Sequence, residues 1–351
     1  MIGSLCKAIV LGASLTGLLG AVAARAQEAR TAIGTGSTTL LLHSTTDIEI
    51  IRPTLERFSA LNPDLRIEYE QWGSNDLYAN SLEACAGDEP VADAVFSSAV
   101  HQMVSLVNAG CAAQHRSAFT EALPPARRWR NELWGITEEP AVIAYNKVFF
   151  AEAEVPRDRF ALLDLLRTRP DALRGRIATY DIEASGLGYL FAYSDSLEAT
   201  TFGALLEGFS RTEAIATCCS AEIIEGVAEG RYLLAYHVLG SYVEAGARPE
   251  VGLILPEDYT LFLSRGFMIP KGAPQAAAAR RLLDYLLSPD GQARLSEAGL
   301  IFPQDATETG LLPSARRFIA LAPSLLVALD QHRIRQFSAL FASAFRPSEH
   351  P

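Results

Sequence analysis

Hydroxyl and glycine residues gather wherever this sequence leaves an apolar β-type run. Ser44, Thr45, Thr46 and Asp47 follow the run Thr38–His43, and Ser97 and Ser98 follow Ala92–Phe96. Tyr180, Asp181, Ser185, Gly186 and Gly188 follow the run from Ile177, while Tyr236, Gly240 and Ser241 follow the one from Tyr232. Neutral donors with close backbone approach suit an oxyanion held by N–H groups and hydroxyls, with little help from full charges. For any single Ser, Thr or Asp the simpler reading is a helix N-cap. Recurrence at successive strand ends favours a shared site, with Gly186 expected where a helix amide meets the anionic group. Tyr145, closing the apolar run from Ala141, and Arg265, a cation in the later segment 251–270, complete the candidates. His43 and His237 also stand at strand ends, where a histidine is more often structural.

Catalysis has no comparable footing. The chain has no G-x-S-x-G elbow, no H-E-x-x-H and no G-x-x-x-x-G-K, and the G-L-G at Gly186 is not a full dinucleotide fingerprint. Glu138 and Glu139 are adjacent on an extended segment and point to opposite sides, a poor arrangement for acid–base work. No cofactor is implied, and a secreted hydrolase is the weaker class. Cys85, Cys111, Cys218 and Cys219 remain after the first 26 residues, and four cysteines allow three pairings. Cys85–Cys111 is the preferred bridge, since both flank early β-α units. For the adjacent Cys218 and Cys219 the leading reading is two small half-buried residues at a helix start. A strained redox pair and a soft metal or metalloid ligand, arsenite for example, stay open as alternatives.

Stepping out from these residues, the elements that must hold them alternate β-α-β-α-β. The run Thr38–His43 leads to an amphipathic helix carrying Ile51, Leu55 and Phe58 on one face and stopping at Asn62-Pro63. Strands at Arg66–Tyr69 and Ala92–Phe96 flank a helix over Asn75–Ala86. Mostly parallel sheets covered by helices follow from that order. Pro140 holds Glu139 extended, and Ala141–Tyr145 is too short for an independent helix, so Trp134–Lys147 reads as a buried strand crossing between two lobes. The segment Val251–Pro270 reads as the return crossing.

Met1–Ala26 has a short start with Lys7, an apolar core from Ala8 to Ala24 and an A-x-A end, the pattern of a Sec-type signal peptide cleaved between Ala26 and Gln27. The expected compartment is the periplasm. Loss of Lys7 and Arg25 deepens the net charge from -11 to -13. No basic stripe with interleaved aromatics is present, which argues against nucleic acid. About 320 mature residues exceed one core and suit two lobes.

Five segments in order, LLHSTTD, VFSSAV, WGITEEPAVIAYNK, GRYLLAYHVLGSY and IPKGAP through LLDYLLSPDGQ, cover about Leu40 to Gly299. Together they resemble periplasmic solute-binding proteins of ABC transporters, of the iron(III)-type and phosphoglycerate-regulator-like group. The resemblance implies an α/β, two-lobed type II periplasmic binding protein fold with two hinge crossings, read here as residues 38–143 plus 252–300 for lobe 1 and 144–251 for lobe 2. Residues 27–37 then form a linker and 301–351 a C-terminal helical segment packed on the lobes. By the same resemblance Ser44, Thr45, Thr46, Ser97 and Ser98 contact solute from lobe 1, and Tyr180, Asp181, Ser185, Gly186, Tyr236, Gly240 and Ser241 from lobe 2. Ferric binders of this group carry two adjacent tyrosines near the position of Leu239 and Gly240; their lack points to a small phosphorylated or carboxylated anion instead of ferric iron. The implied partner of this monomer is an ABC permease or a membrane histidine kinase.

Overall fold

The computed structural model describes residues 27–87, 92–245, 248–303 and 305–347. The segment read as a signal peptide lies outside them. Two sheets carry the architecture. The first has seven strands in the order Gln27–Ile33, Leu65–Trp72, Thr38–Ser44, Ala94–Ser97, Gly266–Met268, Leu133–Gly135 and Arg128–Trp129. Thr38–Ser44 lies parallel to both Leu65–Trp72 and Ala94–Ser97, as the β-α-β-α-β order requires. The intervening helix Ile48–Leu61 buries Ile51, Leu55 and Phe58 on that sheet and ends at Asn62, whose side chain donates to the Phe58 carbonyl.

The second sheet runs Arg316–Phe318, Thr260–Leu263, Glu139–Asn146, Leu234–Leu239, Ile177–Tyr180, Ile215–Thr217 and Arg346–Pro347, with Val251–Ile254 pairing on the far half of Glu139–Asn146. Every residue of Glu139–Asn146 is buried. Pro140, which has no N–H to give a ladder, sits at the start of this strand, where its loss is tolerated. The return segment is three short strands, Val251–Ile254, Thr260–Leu263 and Gly266–Met268; the last crosses back into the first sheet. The sheets thus meet where Glu139 leaves one and Arg265 enters it.

Two stretches differ from the sequence reading. In place of an N-terminal linker, Gln27–Ile33 forms an antiparallel edge strand on Leu65–Trp72, mostly exposed and buried only at Ile33. The C-terminal segment is not only helical. It adds Arg316–Phe318 and Arg346–Pro347 to opposite edges of the second sheet, around the helix Gln331–Ala342. Both additions lie at sheet edges, where short strands gain pairing without a long apolar run.

Candidate functional site

Between the lobes lies a cavity of about 70 Å³, lined from one side by Thr45, Asp47, Trp72, Ser74 and Ser98 and from the other by Tyr180, Ser185, Leu187, Cys219 and Ser220. Four helices begin on it, at Ile48, Ser74, Gly186 and Ser220, of 14, 13, 13 and 9 residues. The local sequence explains each start. Ser185 in S-G-L-G accepts the Gly188 amide at 3.0 Å as an N-cap. Asp47 precedes the Ile48 helix, and the Ile48 amide finds Gln71 Oε1 at 3.1 Å. At Ser220 the N-cap is Cys219, which makes no side-chain cap bond, so the first-turn amides receive no acceptor from it.

Five of the expected residues meet here: Thr45, Ser98, Tyr180, Ser185 and Arg265. Thr45 and Ser98 hydroxyls share a bond at 3.1 Å, and Ser98 N–H donates to Thr45 Oγ1 at 2.9 Å. Tyr180 and Ser220 hydroxyls lie 2.5 Å apart. Burial pushes the Tyr180 phenol up to about 12 and raises Tyr242 well above the ordinary range.

Arg265 lines the cavity as a paired cation. Its Nε and Nη2 donate to the two oxygens of Glu139 at 2.7 and 3.0 Å, and Nη1 donates to Thr46 Oγ1 at 2.9 Å. Arg265 and Glu139 side chains are both fully buried. Burial alone would lower the guanidinium; the Glu139 carboxylate outweighs it and holds the charge above the usual arginine range. Ser241 donates to the same carboxylate at 2.6 Å, as does Thr137 at 2.7 Å. Thr46 and Ser241 therefore serve this hinge knot and do not line the cavity.

The remaining expected residues stand outside the cavity wall for identifiable reasons. Ser44 and Ser97 turn their hydroxyls onto the amides of Thr46 and Ala99, two residues on in each case. Asp181 accepts the Glu183 and Ala184 amides in a local turn. Gly186 gives its N–H across the cleft to Ser74 Oγ at 2.8 Å, and Asn75 donates to the Glu183 and Ala184 carbonyls beside it. That pair latches lobe to lobe, and a Cβ on Gly186 would stand 2.6 Å from Gln102 Nε2. Gly240 packs on Pro140. Tyr145 lies at the far end of the crossing strand, its ring against Gly252. Tyr236 is re-aimed by a bulge: the pairing slips between Ala235 and Val238, His237 takes φ 58°, and the phenol reaches Asp195 in the core at 2.8 Å.

The sequence reading had Asp47 at a candidate strand end but did not single out Trp72, Ser74, Ser220 and Tyr242, nor place Cys218 and Cys219 at the cleft. Asp47 and Tyr242 adjoin residues it did choose, and the Tyr242 hydroxyl donates to Asp47 Oδ1 at 3.2 Å, bridging the lobes. Burial raises Asp47 above the ordinary aspartate range, against the Tyr242 bond and the Arg265 charge. Cys218 to Ser220 follow the strand Ile215–Thr217, whose three residues are too few for a periodicity signal. Disulfides join Cys85 to Cys111, the preferred pairing, and Cys218 to Cys219. The second corrects the reading of that pair as two free small residues: neighbouring side chains turned to one side of a strand end meet within bonding distance.

A family model described as bacterial extracellular solute-binding protein matches residues 41–301. A search of curated protein sequences gave no match. Among solved structures, the substrate binding protein of the ABC transporter from Agrobacterium tumefaciens is 29% identical, with 90% of this chain and 98% of that one covered at a TM-score of 0.83. The ferric binding protein from Campylobacter jejuni is 18% identical, covering 88% and 100% at 0.66. The periplasmic binding protein AfuA from Actinobacillus pleuropneumoniae, solved with fructose-6-phosphate, is 15% identical, covering 88% and 99% at 0.66. The last two likenesses speak to fold, and all three match the two sheets flanked by helices described above.

Proposed function

The chain belongs to the bacterial extracellular solute-binding proteins, and on that premise we propose that its interlobe cleft captures a small solute carrying an oxyanion, phosphorylated or carboxylated, for delivery to an ABC permease. The family consists of binding proteins and acts outside the cytoplasm, in the periplasmic or extracellular space. The observation that carries the ligand class is the convergence of four helix N-termini on one hydroxyl-lined cavity. Each terminus presents roughly half a positive charge, and the Ile48, Gly186 and Gly188 amides already have acceptors in Gln71, Ser74 and Ser185, so a solute meets the remaining first-turn amides. The cavity's carboxylates already have donors: Asp47 accepts from Gln71 and Tyr242, and Glu28 accepts from Gln71. Arg265 adds shape more than charge, because Glu139 neutralises it.

Ferric iron and arsenite fit this wall less well. Tyr180 and Tyr242 both line the cavity, but their hydroxyls are engaged with Ser220 and Asp47, and no group of three or more His, Cys, Asp or Glu placed to hold a metal ion occurs among the described residues. The sulfurs of Cys218 and Cys219 are joined to each other. Delivery is preferred over presentation to a membrane histidine kinase because the Agrobacterium protein, the more similar of those compared, is a transporter component.

A thermal-shift panel of phosphorylated sugars, phosphoglycerates, phosphonates and di- and tricarboxylates tests the reading. A solute bridging both lobes stabilises the closed form, and at about 100 times its dissociation constant adds about 2.7 kcal/mol. A melting temperature raised by ferric iron or arsenite and by no anion in the panel would overturn it.

A further inference from the structure

The Cys218–Cys219 disulfide lies in the wall of the cleft and not in a core. Cys219 is exposed and Cys218 partly so, and the chain turns from them directly into the helix whose N-terminus opens on the cavity. Bonded neighbours close a small ring that includes their own peptide group, so the sulfurs are fixed relative to that peptide just ahead of the helix. Such a bridge does little for the fold by constraining the unfolded chain. Cys85–Cys111 spans 26 positions and Cys218–Cys219 spans 1, and the entropy removed grows with the loop closed. A role in the folded state is the better account.

We propose that this ring is a specificity-determining wall that packs against a hydrocarbon part of the bound solute, so that the cleft takes carbon-bearing oxyanions, small organophosphates, phosphonates or carboxylates, in preference to inorganic ones. The inference rests on the anion-binding reading above and narrows it. Beside the charged Glu28, Asp47 and Arg265, the cavity lining carries two further chemistries. Thr45, Ser98, Ser185, Ser220 and Tyr180 supply hydroxyls, whereas the disulfide together with Leu187, Leu239 and Trp72 presents sulfur and carbon. An inorganic phosphate or sulfate has acceptor oxygens in every direction. Some of them would face the sulfur and methyl surface, where an unpaired polar atom is penalised. A solute that carries both C–H groups and an oxyanion meets both kinds of surface, and polarizable sulfur gives its carbon atoms favourable dispersion contacts.

The test compares oxidised full-length protein with the Cys218→Ser/Cys219→Ser double variant, which leaves Cys85–Cys111 intact. Calorimetric titration uses inorganic phosphate and, from the panel, the phosphonate or carboxylate that binds tightest. The organic anion should lose at least tenfold in affinity in the double variant, and inorganic phosphate should bind the wild type at least tenfold more weakly than the organic anion does. A second readout needs no substitution. A water-soluble phosphine cleaves the S–S bond, becoming phosphine oxide with water supplying the oxygen and the two thiol protons; bound solute should slow release of the Cys218 and Cys219 thiols, followed by alkylation and mass spectrometry. Organic-anion affinity unchanged within twofold in a folded double variant, with thiol release unaffected by solute, would overturn the proposal. So would tighter binding of inorganic phosphate than of every organic anion. If instead a neutral polyol binds, shields the disulfide and loses affinity in the double variant while no anion binds, the wall stands and the anion-binding reading falls.

Discussion

Among the described residues two arginines are wholly buried, and they are buried for different ends. Arg265, on the return crossing, meets Glu139 of the first crossing and Thr46 at the hinge and, through Glu139, Ser241 of the second lobe and Thr137 of the first. One side of that knot is cleft wall. Arg159 meets Asp195 inside the second lobe, and also bonds Asp258, the Tyr259 carbonyl and His237 Nε2. Its guanidinium lies 3.6 Å from the Tyr259 ring centre, and the Tyr236 and Tyr259 phenols complete Asp195. In both clusters burial works against the charge and the surrounding carboxylates and phenols prevail. A buried ion pair is weak evidence of net stability, though losing one partner is costly. Location therefore separates the two: the same chemistry positions a ligand cleft at the pivot and braces helices within a lobe.

The sharpest break in this comparison is expected from Arg159→Met. It leaves Asp195 buried without its cation and should cost about 3–5 kcal/mol of stability, seen as a lower urea midpoint. Solute affinity, measured where the variant is still folded, should stay within twofold of wild type. A large loss of affinity would show that the two clusters are coupled.

Acid should act next most strongly, and on both lobes. Burial lowers His43 and His237 to about 4 and His101 to about 3. The unfolded chain protonates these residues near 6.5 and the folded one does not, so their contribution is complete above pH 6.5 and is lost as pH falls toward 4. Each is worth at most about 3–5 kcal/mol on the scale of 1.36 kcal/mol per unit. Denaturation at pH 7.5, 6 and 5 should show the decline. His237→Asn, which tolerates the positive φ at that position, should flatten it.

A smaller, opposite pair of effects sharpens the contrast. Glu139→Gln uncovers the Arg265 charge at the cleft, so affinity for an anion should rise about tenfold, or about 1.4 kcal/mol, even as stability falls. Asp195→Asn should lower stability with no gain in affinity. Calorimetry on both variants checks this; equal affinities would mean that the Arg265 charge is not felt by solute.

How far the sequence revealed these clusters depends on the distance over which each was assembled. The helices and the parallel strands were legible because Ile51, Leu55 and Phe58 recur at helical spacing and Thr38–His43 is a clear apolar run. That Glu138 and Glu139 diverge was legible too, and they pair with Arg127 and Arg265 respectively. Arg265 itself was placed at the cleft, but its neutralisation was not, since Glu139 lies 126 positions away. Tyr236 was misplaced by a bulge that no residue type announces, its φ reversal falling on a histidine. The Ser74–Gly186 latch joins residues 112 apart and is invisible to any local pattern.

The two bridges also bear on oxidative folding. Of the three ways to pair four cysteines, the two not observed would each tie both Cys85, in a helix on the first sheet, and Cys111, just past the next helix, to Cys218 and Cys219 at the second sheet. Such isomers would staple one half of the molecule to the other and fix the gap between them. The native pairing keeps each covalent link within its own half, so oxidation can be completed early without deciding whether the halves are apart or together.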